Sequence, residues 1–138
     1  MYKYQAKALM KKFYGRHMWG QRTEEFLIKE NTDGSTVIGE ISYYKGDYGY
    51  SYMILDTDGN IVYDESDSGS ILLCRNRIED ADKINYWNPK FCYVVEWVDK
   101  KTPKLTFLNK ETGKTYDGWF DFFEKENIDT RFVSAEDL

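Results

Sequence analysis

The sequence predicts an α+β domain: an N-terminal amphipathic helix, a largely antiparallel β meander, and one or two further short helices. Three observations lead there. Aromatic residues make up 17% of the 138 positions, led by twelve Tyr and eight Phe, whereas Ala occurs only at Ala6, Ala8, Ala81 and Ala135. That balance lowers intrinsic helix content and favours pleated strands. Polar turn sequences recur between short alternating apolar runs, which is the pattern of hairpins. Finally, strands do not alternate with helices, which argues against a doubly wound nucleotide-binding sheet. The length fits one domain over residues 1–138, with 134–138 frayed, and allows a core without metal or disulfide staples.

Residues 2–14 predict the first helix. At 100° per residue, Tyr2, Ala6, Leu9, Met10, Phe13 and His17 share one arc, and Lys3, Lys7 and Lys11 form an adjoining row at i, i+4 spacing. Gly15 is a natural stop. Strands follow at Glu25–Lys29 and Thr36–Tyr44 across the turn Asn31–Ser35, then at Tyr50–Leu55 and Ile61–Tyr63 across Asp56–Asn60. Asp67–Ser70 turns the chain into a further apolar strand, Ile71–Cys74. Residues 76–85 predict a short helix capped by Asn76, with Glu79 at its third position. Phe91–Val98 is the most β-like run and pairs with Lys104–Leu108. Asn109–Lys114 supplies another turn. Asp117–Asn127 then reads as a helix that caps at Asp117 and buries Trp119, Phe120, Phe123 and Phe122, and Arg131–Val133 as a last strand.

Several functions lose support from composition. No apolar run approaches the length of a membrane span. The basic start lacks the apolar core of a secretory signal and the Ser content of a transit peptide. Cys74 and Cys92 lie in apolar surroundings and read as buried free thiols, which places the protein in a reducing cytoplasm. Low Ala with high Lys, Tyr, Asp and Asn hints at an AT-rich genome, bacterial or phage. With one His, the cysteines cannot build a four-ligand zinc site without carboxylates. Asp56-Thr-Asp58-Gly-Asn60 resembles a calcium loop only superficially. From Asp56, Ile61 stands where the loop needs Gly and Asp67 where it needs Glu, so a hairpin turn is the reading. His17 has no recognisable nucleophile or acid beside it. Neither a cofactor nor a metal is expected.

The charge is segregated. Residues 1–22 carry Lys3, Lys7, Lys11, Lys12, Arg16 and Arg22 and no acid, a formal +6; the remainder carries −11 within a total of −5. Ordinary soluble surfaces intersperse the signs, so the split points to an interaction. Acid is densest at Asp56, Asp58, Asp64, Glu65, Asp67, Glu79, Asp80 and Asp82, against Arg75 and Arg77. Beside it in sequence, Tyr48, Tyr50 and Tyr52 alternate on one strand face, and Tyr offers stiff amphipathic contact area. These eleven residues are the candidate partner-binding set. They point to a small non-enzymatic interaction protein that binds, and inhibits, a larger basic or nucleic-acid-binding protein. Immunity proteins and phage anti-defence proteins share this size and composition, which is analogy alone. The rival is a nucleic-acid binder using Lys3, Lys7, Lys11, Lys12, Arg16 and exposed Tyr. Against it stand the net acidity, a pI near 5.0 and the helix's own apolar arc, which favours packing on the body. A third class is an enzyme with an unrecognised site around Cys74 or Cys92.

Overall fold

The computed structural model describes residues 1–15, 20–81 and 90–127. Helix α1 (Lys3–Tyr14) precedes four strands, β1 (Arg22–Glu30), β2 (Thr36–Tyr44), β3 (Asp47–Leu55) and β4 (Ile61–Gly69). Helix α2 (Ile71–Glu79) follows, then β5 (Phe91–Asp99), β6 (Thr102–Asn109), the short β7 (Thr115–Tyr116) and helix α3 (Trp119–Lys125). All seven strands form one antiparallel sheet in chain order, so the α+β meander read from the sequence is the architecture observed.

Each connection follows from local chemistry. Lys45 and Gly46 both have positive φ, 48° and 89°, the conformation of a two-residue hairpin turn joining Tyr44 to Asp47. In the β3–β4 turn, the Asp56 carboxylate accepts the Asp58 N–H at 3.0 Å and the Asn60 N–H at 2.9 Å. Gly15 ends α1 at φ 83°, and its N–H reaches the Lys11 carbonyl.

Both faces of the sheet are covered, because the strands alternate between two cores. One face carries Ile38, Met53, Leu55, Ile61, Phe91, Tyr93 and Phe107 beneath Ala6, Leu9 and Met10 of α1 and Phe122 and Phe123 of α3. The other carries Val37, Ile41, Tyr50, Tyr52, Ile54, Val62 and Cys92 beneath Cys74 and Ile78 of α2. α1 therefore buries its apolar arc on the body and leaves Lys3, Lys7, Lys11 and Lys12 exposed, although Tyr2 stays 70% exposed.

Between the halves the sheet is weak: β4 pairs with β5 in the strand ladder at Ile61 and Tyr93 alone among the described residues. The Asn60 side-chain carbonyl, accepting the Val95 N–H at 3.2 Å, adds a second tie. In the second half, the Glu126 carboxylate accepts from Asn109 Nδ2 at 2.7 Å and from the Tyr116 hydroxyl at 2.5 Å. These bonds hold its carboxyl below the usual range and anchor the end of α3 to the β6–β7 hairpin.

Three sequence readings need correction. Ile71–Cys74 is helical, not a strand, and the second helix begins at Ser70 rather than Asn76. The Ser70 hydroxyl accepts the Leu73 N–H at 3.2 Å, and a four-residue apolar run does not by itself distinguish strand from helix. β4 runs on to Gly69 through Asp64–Ser68, a polar stretch that holds strand form because each residue pairs with β3. In α3, Gly118 rather than Asp117 takes the cap position, and Phe120 is 65% exposed while Phe122 and Phe123 are buried. Other earlier readings fall outside the described residues: the final strand at 131–133, the frayed end at 134–138, His17, Arg16, Asp82 and the burial of the Trp119 side chain.

Candidate functional site

The predicted acidic residues do not share one face. Asp56 and Asp58 sit in the β3–β4 turn. Glu79 and Asp80 sit at the C-terminal end of α2. Glu65 and Asp67 pair across from Tyr52 and Tyr50 on the α2 side of the sheet, whereas Asp64 pairs with Met53 on the α1 side. Asp82 lies outside the described residues.

Tertiary structure does gather part of this set, and adds to it. Gly34 and Thr57 nearly touch, since a Cβ on Gly34 would stand 2.9 Å from the Thr57 side chain; the β1–β2 and β3–β4 turns are therefore neighbours. Lys29 donates its ammonium to the Glu79 carbonyl and, at 2.9 Å, to the Ala81 carbonyl. That bond satisfies the carbonyl end of α2 and brings it to the same end of the sheet. Exposed Glu30, Asp33, Asp58, Glu79 and Asp80, with half-buried Asp56, thus come from three separate segments to one end of the fold. Glu30 and Asp33 were missed in sequence because they flank a turn far from the acid-rich stretch. Their signal was the turn itself, which must sit beside the next-but-one turn in a meander.

The tyrosine face is not an open platform. Tyr50 and Tyr52 are 4% and 2% exposed, stacked at 6.1 Å in the α2-side core. The Tyr50 hydroxyl donates to Glu65 Oε2 at 2.7 Å and the Tyr63 hydroxyl to Glu65 Oε1 at 3.1 Å. Burial first pushes both phenols upward, followed by the hydrogen bond to Glu65 for Tyr50 and by the Glu65 charge for Tyr63. Glu65 is thereby committed to satisfying buried hydroxyls. Only Tyr48 of the three is half-exposed, edge-on to Tyr43 at 5.1 Å. The reason is α2: it folds back over these strands, which the strand alternation alone could not reveal. Arg75 clamps it there, its Nε 2.8 and 3.0 Å from the two Glu25 oxygens, and lowers the Glu25 carboxyl.

Both cysteines are free and buried, and burial pushes their thiols up. A thiol so placed holds little thiolate at neutral pH and is a poor nucleophile. In the native protein, Cys74 and Cys92 should react with a thiol-specific disulfide reagent at least tenfold more slowly than after denaturation, followed by absorbance. Fast reaction of either in the native state would put a reactive thiol back under consideration.

A cleft opens on the α1 side, between α1 and the ends of β1–β4 that carry Thr23, Tyr44, Asp47 and Ser68. Lys7, Met10, Lys11 and Tyr14 of α1 form one wall. Aligned rows of the sheet form the floor: Glu40, Ser51 and Ser66 pair across three strands, and so do Ser42, Gly49 and Ser68. The cleft encloses about 840 Å³. Of the predicted basic set, it thus takes Lys7 and Lys11; Lys3 and Lys12 are exposed elsewhere on α1, and Arg16 lies outside the described residues. Among the described residues, no three His, Cys, Asp or Glu side chains are grouped to hold a metal ion, and no helix is long and apolar enough to cross a membrane. No family model, curated protein or solved structure matches this chain.

Proposed function

We propose that this protein is a small, non-enzymatic cytoplasmic binder that captures, and thereby inhibits, a larger basic or nucleic-acid-binding protein. The observation that carries the reading is the convergence of Glu30, Asp58, Glu79 and Asp80, all exposed, at the end of the sheet where two turns meet the α2 terminus. Lys29 lies among them, but its ammonium is directed at α2 carbonyls. Carboxylates from rigid, separately anchored segments cost little to hold together and give a focused negative potential, which accelerates encounter with a basic surface. Asp33 and Asp56 contribute charge while their oxygens brace the turns. Of the binding set inferred from sequence, Asp56, Asp58, Glu79 and Asp80 belong to this end, joined by Glu30 and Asp33.

Affinity capture from the source cell followed by association kinetics with the purified partner tests this. The variant Glu30→Lys/Asp58→Lys/Glu79→Lys/Asp80→Lys should associate at least tenfold more slowly than wild type at low salt, with the gap narrowing as salt rises. An unchanged association rate in a folded variant rejects the reading.

A further inference from the structure

We propose that the cleft between α1 and the serine-bearing ends of β1–β4 binds a nucleoside phosphate. Its size is that of a small-molecule site, which typically spans about 300–1,000 Å³. Its chemistry is unusual for this fold. Elsewhere on the same face the strands carry Ile38, Met53, Leu55 and Ile61. Toward the cleft, the same alternation switches to Thr23, Ser42, Ser51, Ser66 and Ser68, with Gly49 between. A core face that ends in short hydroxyls leaves space and hydrogen-bonding groups where apolar side chains would have extended the packing. The Ser66 and Ser51 hydroxyls already meet at 3.0 Å, and the Thr23 hydroxyl donates to Glu40 Oε1 at 2.5 Å, so the floor is a pre-ordered polar surface.

The walls set the ligand's charge and shape. Lys7 and Lys11 face the cleft one helical turn apart, and neither forms an ion pair with a described residue. The Lys7 ammonium stands 5.7 Å from the centroid of the Phe26 ring, which also lines the cleft. Two such ammonium groups suit a phosphate, which lysine binds as a point charge. On the strand side of the cleft, Tyr44 offers a ring with the Lys45 ammonium 5.2 Å from its centroid, and Asp47 pairs with Tyr44 across the turn. An aromatic face stacks a base, and the Asp47 carboxylate accepts from its exocyclic amines or from sugar hydroxyls. Phosphate at α1, sugar over the serine floor and base at Tyr44 therefore fill the cleft in one orientation. Glu40 and Asp47 oppose a ligand that is anionic throughout, which disfavours a run of phosphates.

Isothermal titration with AMP, GMP, CMP and UMP, set beside the four corresponding nucleosides, ribose 5-phosphate, inorganic phosphate and a single-stranded RNA oligonucleotide, tests the assignment. At least one nucleoside monophosphate should bind. The matching nucleoside and inorganic phosphate should each bind at least tenfold more weakly. The surface variant Lys7→Gln/Lys11→Gln should lose at least tenfold in affinity with its melting temperature unchanged, and Ser66→Leu should block the floor. The quadruple variant at the acidic end should bind the nucleotide as wild type does, which separates this site from the protein-binding reading. No binding by any mononucleotide, equal binding of inorganic phosphate, or retention of the RNA alone would each overturn it.

Discussion

Phe122→Ala should destabilise the protein by about 3–5 kcal/mol, the usual cost of truncating a fully buried Phe. Phe122 is 0% exposed. Its ring lies 5.2 Å from those of Phe91 and Phe107, 5.7 Å from Tyr116 and 5.5 Å from Phe123. With Phe123, it packs α3 onto the second half of the sheet, and it is the more deeply buried of the two. That half is held to the first by a single strand bridge, so packing rather than strand pairing keeps it in place. A seven-residue helix is too short to persist alone, so losing Phe122 should also release α3. Phe120→Ala, two residues away on the exposed side, should change stability by no more than about 0.5 kcal/mol. Urea denaturation of both variants decides the matter; comparable losses would mean that the burial pattern of α3 is wrong.

Gly39→Ala should also destabilise, although adding a methyl group to a strand glycine ordinarily helps by roughly 0.5–1 kcal/mol. A Cβ at Gly39 would stand 2.6 Å from Ile78 Cγ2 and 2.9 Å from its Cδ1. Ile78 is 1% exposed and, with Cys74, packs α2 on the sheet. The expected cost is about 1–3 kcal/mol, as for other overpacked cores. Gly39→Val should cost more. Ile78→Ala alone should cost about 2–5 kcal/mol, but in the double variant the new methyl has room. The Gly39→Ala penalty should therefore shrink by at least about 0.5 kcal/mol in the Ile78→Ala background, a coupling that a double-mutant cycle measures. Additive effects would show that α2 does not rest on Gly39. Because α2 also covers Tyr50 and Tyr52, the Gly39 variants should raise the fluorescence response to a hydrophobic dye as that face loosens.

Much of the fold is legible in the sequence because its signals are local. The i, i+4 apolar arc of α1, the Asn31–Ser35 and Asp56–Asn60 turns and the alternation of Thr36–Tyr44 all act over a few residues, and each appears where it was expected. The misreadings share a different cause. Ile71–Cys74 became a helix through the Ser70 cap and the cover that α2 provides for Tyr50 and Tyr52. Asp64–Ser68 became a strand only because β3 lies alongside it. Phe120 and Phe122 are equally apolar, and only the direction from which the sheet approaches decides which is buried.

The same division runs through the candidate sites. The sequence by itself determined that the chain makes an antiparallel meander with a basic, amphipathic first helix, since periodicity, turn chemistry and charge segregation are properties of adjacent residues. It also showed that the acid is concentrated. Tertiary structure alone decided which acids stand together: Glu30 and Asp33 join Asp58 and Glu79 because two hairpin turns touch and Lys29 draws in the end of α2. It alone turned the tyrosine face inward, and it alone aligned serines from three strands beside Lys7 and Lys11. These are contacts between residues far apart in the chain, set by the register and packing of the whole sheet, and no local pattern encodes them.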